Sequence, residues 1–381
     1  MISFFFITNL LHIGDRELFD VPVAEQFSFI DSLREPTDGI ERSYLQFRCH
    51  MFFSPYWKRV LFSMISICVC PVLLLSLWVR GFFTRVGEPV TALMECNGME
   101  SVVPLSVRDK YKPDVRFWKH RASLTTNDII FVLKVIRVGF LSPYFVFRTL
   151  VNTAFYSDMI RSHKPSAIIA FMEYSYSSSL LTEFCHAYSV SHINVMHGEK
   201  LFFIRDSFFW FDECYVWDQH YIDLFLRLRA ESSQFRIEIP PSLSVDIARF
   251  QNIKYYADYK YYLAEYNEEQ IASIVASMRF VKRDGKTLRY RPHPRYSNLR
   301  LLQKYVPNDE IEYPDKVSIE ESVANMSCAV GCFTTVLLQA YMVKKDCILD
   351  DVTFKDQCDK LVDYDYILAT ADIYRLSLFQ N

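Results

Sequence analysis

The chain has 381 residues, 51% of them apolar and 16% aromatic, with a formal net charge of −3 at pH 7. That length and apolar content exclude global disorder and call for two cores, and the lack of any strongly basic region excludes bulk nucleic-acid binding. The ten cysteines (49, 68, 70, 96, 185, 214, 328, 332, 347 and 358) form no CxxC pair and no zinc-site spacing, the pattern of reduced thiols in a cytosolic protein.

The opening "MISFFFITNLLHIGD" has no basic n-region and no small-residue cleavage site. Ile2–Thr8 is therefore expected as a first buried strand and not as part of a signal peptide. Val60–Val79 follows as 20 residues without a charge, flanked by Lys58-Arg59 and by Arg80 and Arg85. It is long enough to span a bilayer, but Pro71 sits in its middle. The expectation is a helix pair in or against a membrane surface; the alternative is a fully buried helix, and a true span is less favoured.

Short apolar runs at Ala167–Met172, Ile193–Met196 and Cys214–Trp217 alternate with helical patterns at Ser178–Tyr188 and Tyr221–Arg229. Strands alternating with helices imply βαβ units and a parallel sheet. Residues 237–252, with Pro240-Pro241, break the rhythm as a linker. Beyond it the spacing predicts a strand at Tyr259–Leu263 and a helix at Glu268–Val281 that stops near Asp284-Gly285. A strand at Thr287–Tyr290, a helix at Asn298–Tyr305 and a short strand at Glu310–Tyr313 come next. A capping box, Ser318-x-x-Glu321, opens a helix to Asn325. The pattern closes with a strand at Cys328–Gly331, a helix at Thr335–Met342 and a strand at Asp346–Leu349. This is a doubly wound domain, whose chemistry belongs at the C-terminal ends of its strands.

Two motifs fall at such ends in the last third. "YRPHPR" holds His293 in a loop stiffened by Pro292 and Pro294, between Arg291 and Arg295. A bound phosphate would stabilise its imidazolium, so the loop is a candidate anion site; the plain alternative is a turn-capping histidine. "GCFTT" ends a strand at Gly331 and places Thr334 and Thr335 at a helix start, either a neutral phosphate cradle or an ordinary N-cap.

Earlier in the chain, "NVMHGEK" runs a strand into His197-Gly198, followed by Glu199 and Lys200. His197 could accept a proton from an acceptor hydroxyl, with Glu199 as orienting group or competing base; a structural His-Gly turn is the alternative. "MEYSYSSS" ends another strand with Glu173, a second base candidate, and with Tyr174 and Ser175, which could contact an acceptor. Ser177 and Ser178 read as helix caps, and Asp206 and Asp212 are weaker base candidates. Asp350-Asp351 lacks further ligands for a metal, and the chain has no P-loop, GxGxxG or GxSxG.

As a set, the His-Gly turn, the HP loop and the downstream threonine loop resemble bacterial GT-B transferases of surface-polysaccharide synthesis. In the bacterial sialyltransferases and capsule polysialyltransferases, HP and S/T motifs bind the CMP phosphate; His293-Pro294 and Thr334-Thr335 match them. Their acidic base motif has only Thr37-Asp38-Gly39 as a counterpart. The second group, the CDP-glycerol-type polyol-phosphate transferases, carries an HG histidine and an RxHP histidine, which His197-Gly198 and Arg291-x-His293-Pro294 resemble. Where those enzymes have Asp-Tyr-Ser-Ser, this chain has "GCFTT".

The resemblance implies a GT-B-like α/β fold, with two Rossmann-type parallel-sheet domains facing a central cleft. Residues 1–240 would bind the acceptor and carry the hydrophobic insertion near 58–85; residues 241–381 would bind the donor. It further implies a metal-independent glycosyltransferase using a CMP-linked sugar and a glycan or lipid-linked acceptor to build lipopolysaccharide or capsule. The charge-free segment at 60–79 would bring it to lipid-linked acceptors on the cytoplasmic face of the inner membrane. Arg291, His293, Pro294, Arg295, Gly331, Thr334 and Thr335 would hold the donor phosphate; Tyr174, Ser175 and Lys200 would contact the acceptor. The rival readings are CDP-polyol phosphotransfer and a non-catalytic membrane-associated scaffold.

Overall fold

The structure, a computed structural model, describes residues 14–84, 87–94, 99–112 and 122–380. The strand expected at Ile2–Thr8 lies outside them, as do Arg85 and Cys96. The chain divides into two compact units, Met1–Glu238 and Ile239–Asn381.

In the first unit, β1 (Ala92–Met94), β2 (Ala167–Ala170), β3 (Ser191–Val195), β4 (Glu213–Val216) and β5 (Phe235–Ile237) form one sheet in that order. Every pairing is parallel. The run "AIIA" of β2 is buried on both faces, as a central parallel strand covered by helices requires. β2 stops earlier than its apolar run because the Met172 N–H donates to the Asn194 Oδ1 at 2.9 Å instead of continuing the ladder. That side-chain bond turns the chain out of the sheet, so Phe171–Tyr174 becomes a loop at its C-terminal edge. All five strands point the same way, and the ends of β2 and β3 therefore share one edge.

The charge-free segment departs from expectation. It forms one continuous helix, Tyr56–Gly81, of 26 residues with Pro71 inside it, and not a helix pair. Nor is it a buried helix: only Lys58, Ser66 and Leu77 are buried, while Met64, Ile67, Val72 and Leu75 are exposed. By length and composition it could cross a membrane. One stripe packs on the Pro143–His163 helix, with Leu77 joining Leu124, Val132, Leu150 and Ala154 in a small core. Both ends are tied to the first unit. Lys58 Nζ meets Asp15 Oδ2 at 2.6 Å, and Arg161 donates to the Gly81 carbonyl at 2.8 Å. Gly81 is required there, since a Cβ would fall 1.9 Å from the Leu124 carbonyl oxygen.

In the second unit, β6 (Ala257–Tyr262), β7 (Leu288–Arg291), β8 (Met326–Gly331), β9 (Asp346–Leu349) and β10 (Tyr374–Arg375) form a parallel sheet of order β10-β9-β8-β6-β7. The chain starts at β6, steps to β7 on one side, then returns to β8 on the other. The reversal makes a switch point between β6 and β8, where doubly wound sheets open a crevice at their C-terminal edge. The short strand expected at Glu310–Tyr313 is instead a 3-10 turn, Asn308–Glu310, with a single bridge from Ile311 to Tyr290. The predicted Glu268–Val281 helix divides at Met278 into Glu268–Ser277 and Arg279–Arg283, and Gly285 ends it at a φ of +68°.

Candidate functional site

In the second unit the HP loop leaves the end of β7 and the threonine loop leaves the end of β8, flanking β6. At the usual strand spacing the two loops start about 10 Å apart, within reach of one diphosphate. His293 is fixed by its own turn. Its Nδ1 accepts from the backbone N–H groups of Arg295 at 3.1 Å and Tyr296 at 3.3 Å. Its own N–H donates to Ser297 Oγ at 2.8 Å, which in turn donates to the Ala264 carbonyl beyond β6 at 2.7 Å. The ring stacks on Tyr296, centroids 4.5 Å apart. With Nδ1 engaged as an acceptor, the neutral ring carries its proton on Nε2, so the outward nitrogen is a hydrogen-bond donor.

Thr334 is the N-cap of the Thr335–Met342 helix, its Oγ1 accepting from the Val336 N–H at 3.4 Å. Thr335 is exposed on the first turn, at the positive end of the helix dipole. Gly331 is buried where the strand turns into the loop: a Cβ would stand 3.3 Å from Thr334 Cγ2 and 3.4 Å from the Tyr262 carbonyl. Pro294 and Arg295 are exposed beside His293.

Arg291 has a different use from the one expected. It is 6% exposed, bonded to Glu312 Oε1 at 2.9 Å and donating to the Val317 carbonyl at 2.8 Å. Lys260 Nζ holds the other oxygen of Glu312 at 2.5 Å, and the Ser322 hydroxyl donates to the first. The guanidinium at a strand end therefore neutralises an internal carboxylate and is not a phosphate ligand. Asp350 and Asp351 are likewise engaged within the fold, Asp350 by Tyr261 Oη and the Val352 and Thr353 N–H groups, Asp351 by Ser377. Among the described residues, no group of three or more His, Cys, Asp or Glu is placed to hold a metal ion.

In the first unit the ends of β2 and β3 bring together Glu173, His197 and Lys200. Glu173 is fully buried; its Oε1 lies 2.5 Å from Lys200 Nζ and 3.7 Å from His197 Nδ1, and its Oε2 accepts from Asn194 Nδ2 at 3.1 Å. Burial pushes the Glu173 carboxyl up, but Lys200 and His197 outweigh it and hold the group below its ordinary value. Burial lowers His197, Glu173 opposes this and Lys200 reinforces it, leaving the imidazole neutral near pH 7. Lys200 is disfavoured by burial yet held protonated by Glu173 and Asp206. Asp206, buried in a 3-10 turn, is pushed up to about 6 by desolvation against the pull of Lys200.

His197 opens onto a cavity of about 590 Å³, lined also by Phe171, Tyr174, Ser175, Arg148 and Asn152. The structure separates the candidate bases. Glu173 is fully buried beside Lys200, with its Oε1 3.7 Å from the imidazole Nδ1, and Glu199 is half-buried on the same turn. Asp212 is committed to His186 Nε2 at 2.6 Å and the His192 N–H at 2.7 Å. Lys200, expected at the acceptor, is 11% exposed and bound to Glu173. Ser177 occupies the N-cap of the Ser178–His186 helix without a side-chain cap bond; its hydroxyl accepts from Asn152.

Sequence reasoning missed the Gly39–Phe52 and Pro143–His163 helices. The first carries Gln46, which donates to the Glu173 carbonyl at 2.9 Å, and His50, whose Nε2 donates to the Tyr174 carbonyl at 2.9 Å. Burial holds His50 down to about 3, so it stays neutral while it clamps this turn. The second helix carries Arg148 and Asn152 into the cavity wall. Signals were available: Ser142-Pro143 starts one helix, and Asp38 of "TDG" caps the other by accepting from the Glu41 N–H.

No family model and no curated protein matches the chain. Among solved structures it is similar to a variant of the wall teichoic acid polymerase TagF (TM-score 0.39, 10% identity, 76% of this chain and 77% of that one). It is also similar to UDP-GlcNAc 2-epimerase from Methanocaldococcus jannaschii (TM-score 0.38, 11% identity, covering 69% and 83%). A third is S. aureus MnaA with UDP (TM-score 0.36, 11% identity, covering 72% and 82%). At these scores the reading of function stands on the site residues themselves.

Proposed function

We propose that the chain is a metal-independent glycosyltransferase that moves a sugar from a nucleotide-activated donor, with a cytidine nucleotide as leaving group, onto a lipopolysaccharide or capsule acceptor. The observation that carries this reading is that two histidines stand at strand ends in different settings, one fixed by backbone hydrogen bonds and the other with Nδ1 beside a buried carboxylate. His293 has Nδ1 engaged by two N–H groups and presents a donor, suited to a phosphate oxygen. His197 turns Nδ1 toward the Glu173 carboxylate and is kept neutral, which leaves Nε2 with a lone pair for a hydroxyl proton.

In the proposed reaction the acceptor oxygen forms its bond to the anomeric carbon as its proton passes to His197. The bond to the nucleotide phosphate breaks, and His293 with the Thr334/Thr335 helix start stabilises the departing charge. Glu173 offsets the imidazolium as it forms. The exposed apolar helix Tyr56–Gly81 supports a place for the enzyme on the cytoplasmic face of the inner membrane.

The test is thermal stabilisation by CMP, CDP, UDP and GDP, followed by product analysis with CMP-sugar and CDP-polyol donors. A ligand at a hundred times its Kd stabilises by about 2.7 kcal/mol, a readable shift. Cytidine nucleotides are expected to stabilise the wild type and not His293→Ala. Release of CMP from a CDP-polyol, with phosphate carried to the acceptor, would move the chain to polyol-phosphate transfer, where the same histidines serve. No stabilisation by any nucleotide would leave the scaffold reading.

A further inference from the structure

The first unit has a second cavity, of about 200 Å³, whose wall includes Lys58, Arg59, Arg148 and Arg205. Only one carboxylate lines it, Asp15, and Lys58 lies 2.6 Å from that group. Arg59 donates to the Ser54 carbonyl at 2.7 Å, and Arg148 to Tyr176 Oη at 3.2 Å. Arg205 lies over the rings of Phe53 and Phe203, and its Nε is buried without a hydrogen-bond partner among the described residues. Three guanidiniums thus face one small space with no ion pair among the described residues. Arg59 and Arg148 are exposed and Arg205 is half-buried, with Asp15 and Asp206 acting on its charge; three like charges around one small space still favour an anion there. The arginines present fork-shaped donors, the geometry that suits phosphate oxygens.

This basic cavity is continuous with an apolar groove. Arg59, Met51 and Tyr144 line both, and the groove, about 640 Å³, runs between the Tyr56–Gly81 helix and the Phe140–Tyr144 turn. Val60, Met64, Ile67, Phe140 and Leu141 line it and are all exposed, Phe140 and Leu141 at 73% and 84%. On its other side the basic cavity shares Arg148 with the His197 cavity, and His50 in its wall donates to the Tyr174 carbonyl. Tail groove, cationic pocket and imidazole therefore follow one another along the first unit. A soluble sugar phosphate would have no use for the groove, and a neutral lipid none for the arginines.

We propose that this pocket and groove bind one lipid molecule, a long aliphatic chain ending in a phosphate, with the phosphate among Arg59, Arg148 and Arg205 and the chain along the apolar helix. Combined with His197 as base, the acceptor is then a lipid-phosphate-linked hydroxyl compound, a step that rests on the function proposed above. Binding of dodecyl phosphate to the full chain, measured by titration calorimetry below its micellar concentration, tests the site, with dodecanol and inorganic phosphate as the two half-ligands.

The expected result is that dodecyl phosphate binds at least tenfold tighter than either half-ligand. Arg205→Gln and, independently, the surface variant Ile67→Asp should each lose that advantage, while thermal stabilisation by CMP is retained as the check on folding. Equal binding of dodecanol and dodecyl phosphate, or full binding by both variants, would overturn the proposal. His197→Ala separates the two readings: intact dodecyl phosphate binding with intact transfer breaks the catalytic assignment and leaves the lipid site standing.

Discussion

In each unit a buried carboxylate lies between two nitrogen-bearing side chains, and the two arrangements differ in what they leave over. In the second unit Glu312 is met by Lys260, Arg291 and Ser322, and Lys260 also donates to the Ser322 carbonyl. The hydrogen-bonding capacity of that cluster is used within the fold, and the fold is what it serves. In the first unit Glu173 Oε1 is bound by Lys200 Nζ at 2.5 Å, while His197 Nδ1 lies buried 3.7 Å from it without a hydrogen bond. The imidazole is 31% exposed and opens onto a cavity. Two clusters of similar composition thus differ in what they leave accessible: the first-unit imidazole faces a cavity, and the second-unit cluster is closed within the fold.

The largest effect expected from breaking this contrast is on stability. Glu312→Gln leaves Lys260 and Arg291 as buried charges without a counter-charge, and chemical denaturation should read a loss of about 3–5 kcal/mol. A loss below about 1 kcal/mol would mean that water already compensates the node.

His197→Ala should leave the fold intact and lower kcat about 10²–10⁴-fold, the usual contribution of a general base. Unchanged kcat would pass the base role to another group.

Glu173→Gln should sharpen the comparison through pH. The carboxylate raises the pKa of His197, so its removal lowers that pKa further. The acidic limb of kcat/KM, already below pH 6.5 in the wild type, should move to still lower pH. A limb that stays in place would show that Glu173 does not act through the imidazole.

The smallest effect expected is a difference in acid sensitivity. His50 and His192 are held down to about 3 by burial, against an ordinary value of 6.5. Their contribution to stability is complete above pH 6.5 and is lost as pH falls from there toward 3. Asp206, raised to about 6, acts in the opposite sense and offsets part of one histidine. Glu312 is held below its ordinary 4.5, so its contribution in the second unit is lost only at lower pH. The four described tryptophans, 57, 78, 210 and 217, belong to the first unit, and Trp118 precedes the boundary at 238 in the sequence, so tryptophan fluorescence reports that unit. It should change at higher pH than the far-UV signal of the whole chain; coincident transitions would refute the ordering.

Much of the second unit was legible because its strands are short apolar runs punctuated by caps. Thr335–Met342 and Asp346–Leu349 match residue for residue. The first unit was less legible. Its Pro143–His163 helix is polar and apolar on all sides because several neighbours cover it, so no clean stripe marks it. His293 and Thr334 could be placed at strand ends from local pattern alone. Arg291 could not be excluded that way, since its partner Glu312 lies 21 residues downstream across a bridge that only folding forms.

The sequence by itself determined two α/β units, the strand ends that bear the two histidines, and the position of a long apolar helix. Those depend on periodicity and on proline, glycine and cap residues, which act over a few neighbours. Only the tertiary structure decided that Glu173 lies beside His197, that Arg291 is internal, and that Arg59, Arg148 and Arg205 share one pocket. Each of those depends on charges far apart in the chain being brought together by folding, and a partner's distance and burial then set whether a group is held, neutral or available.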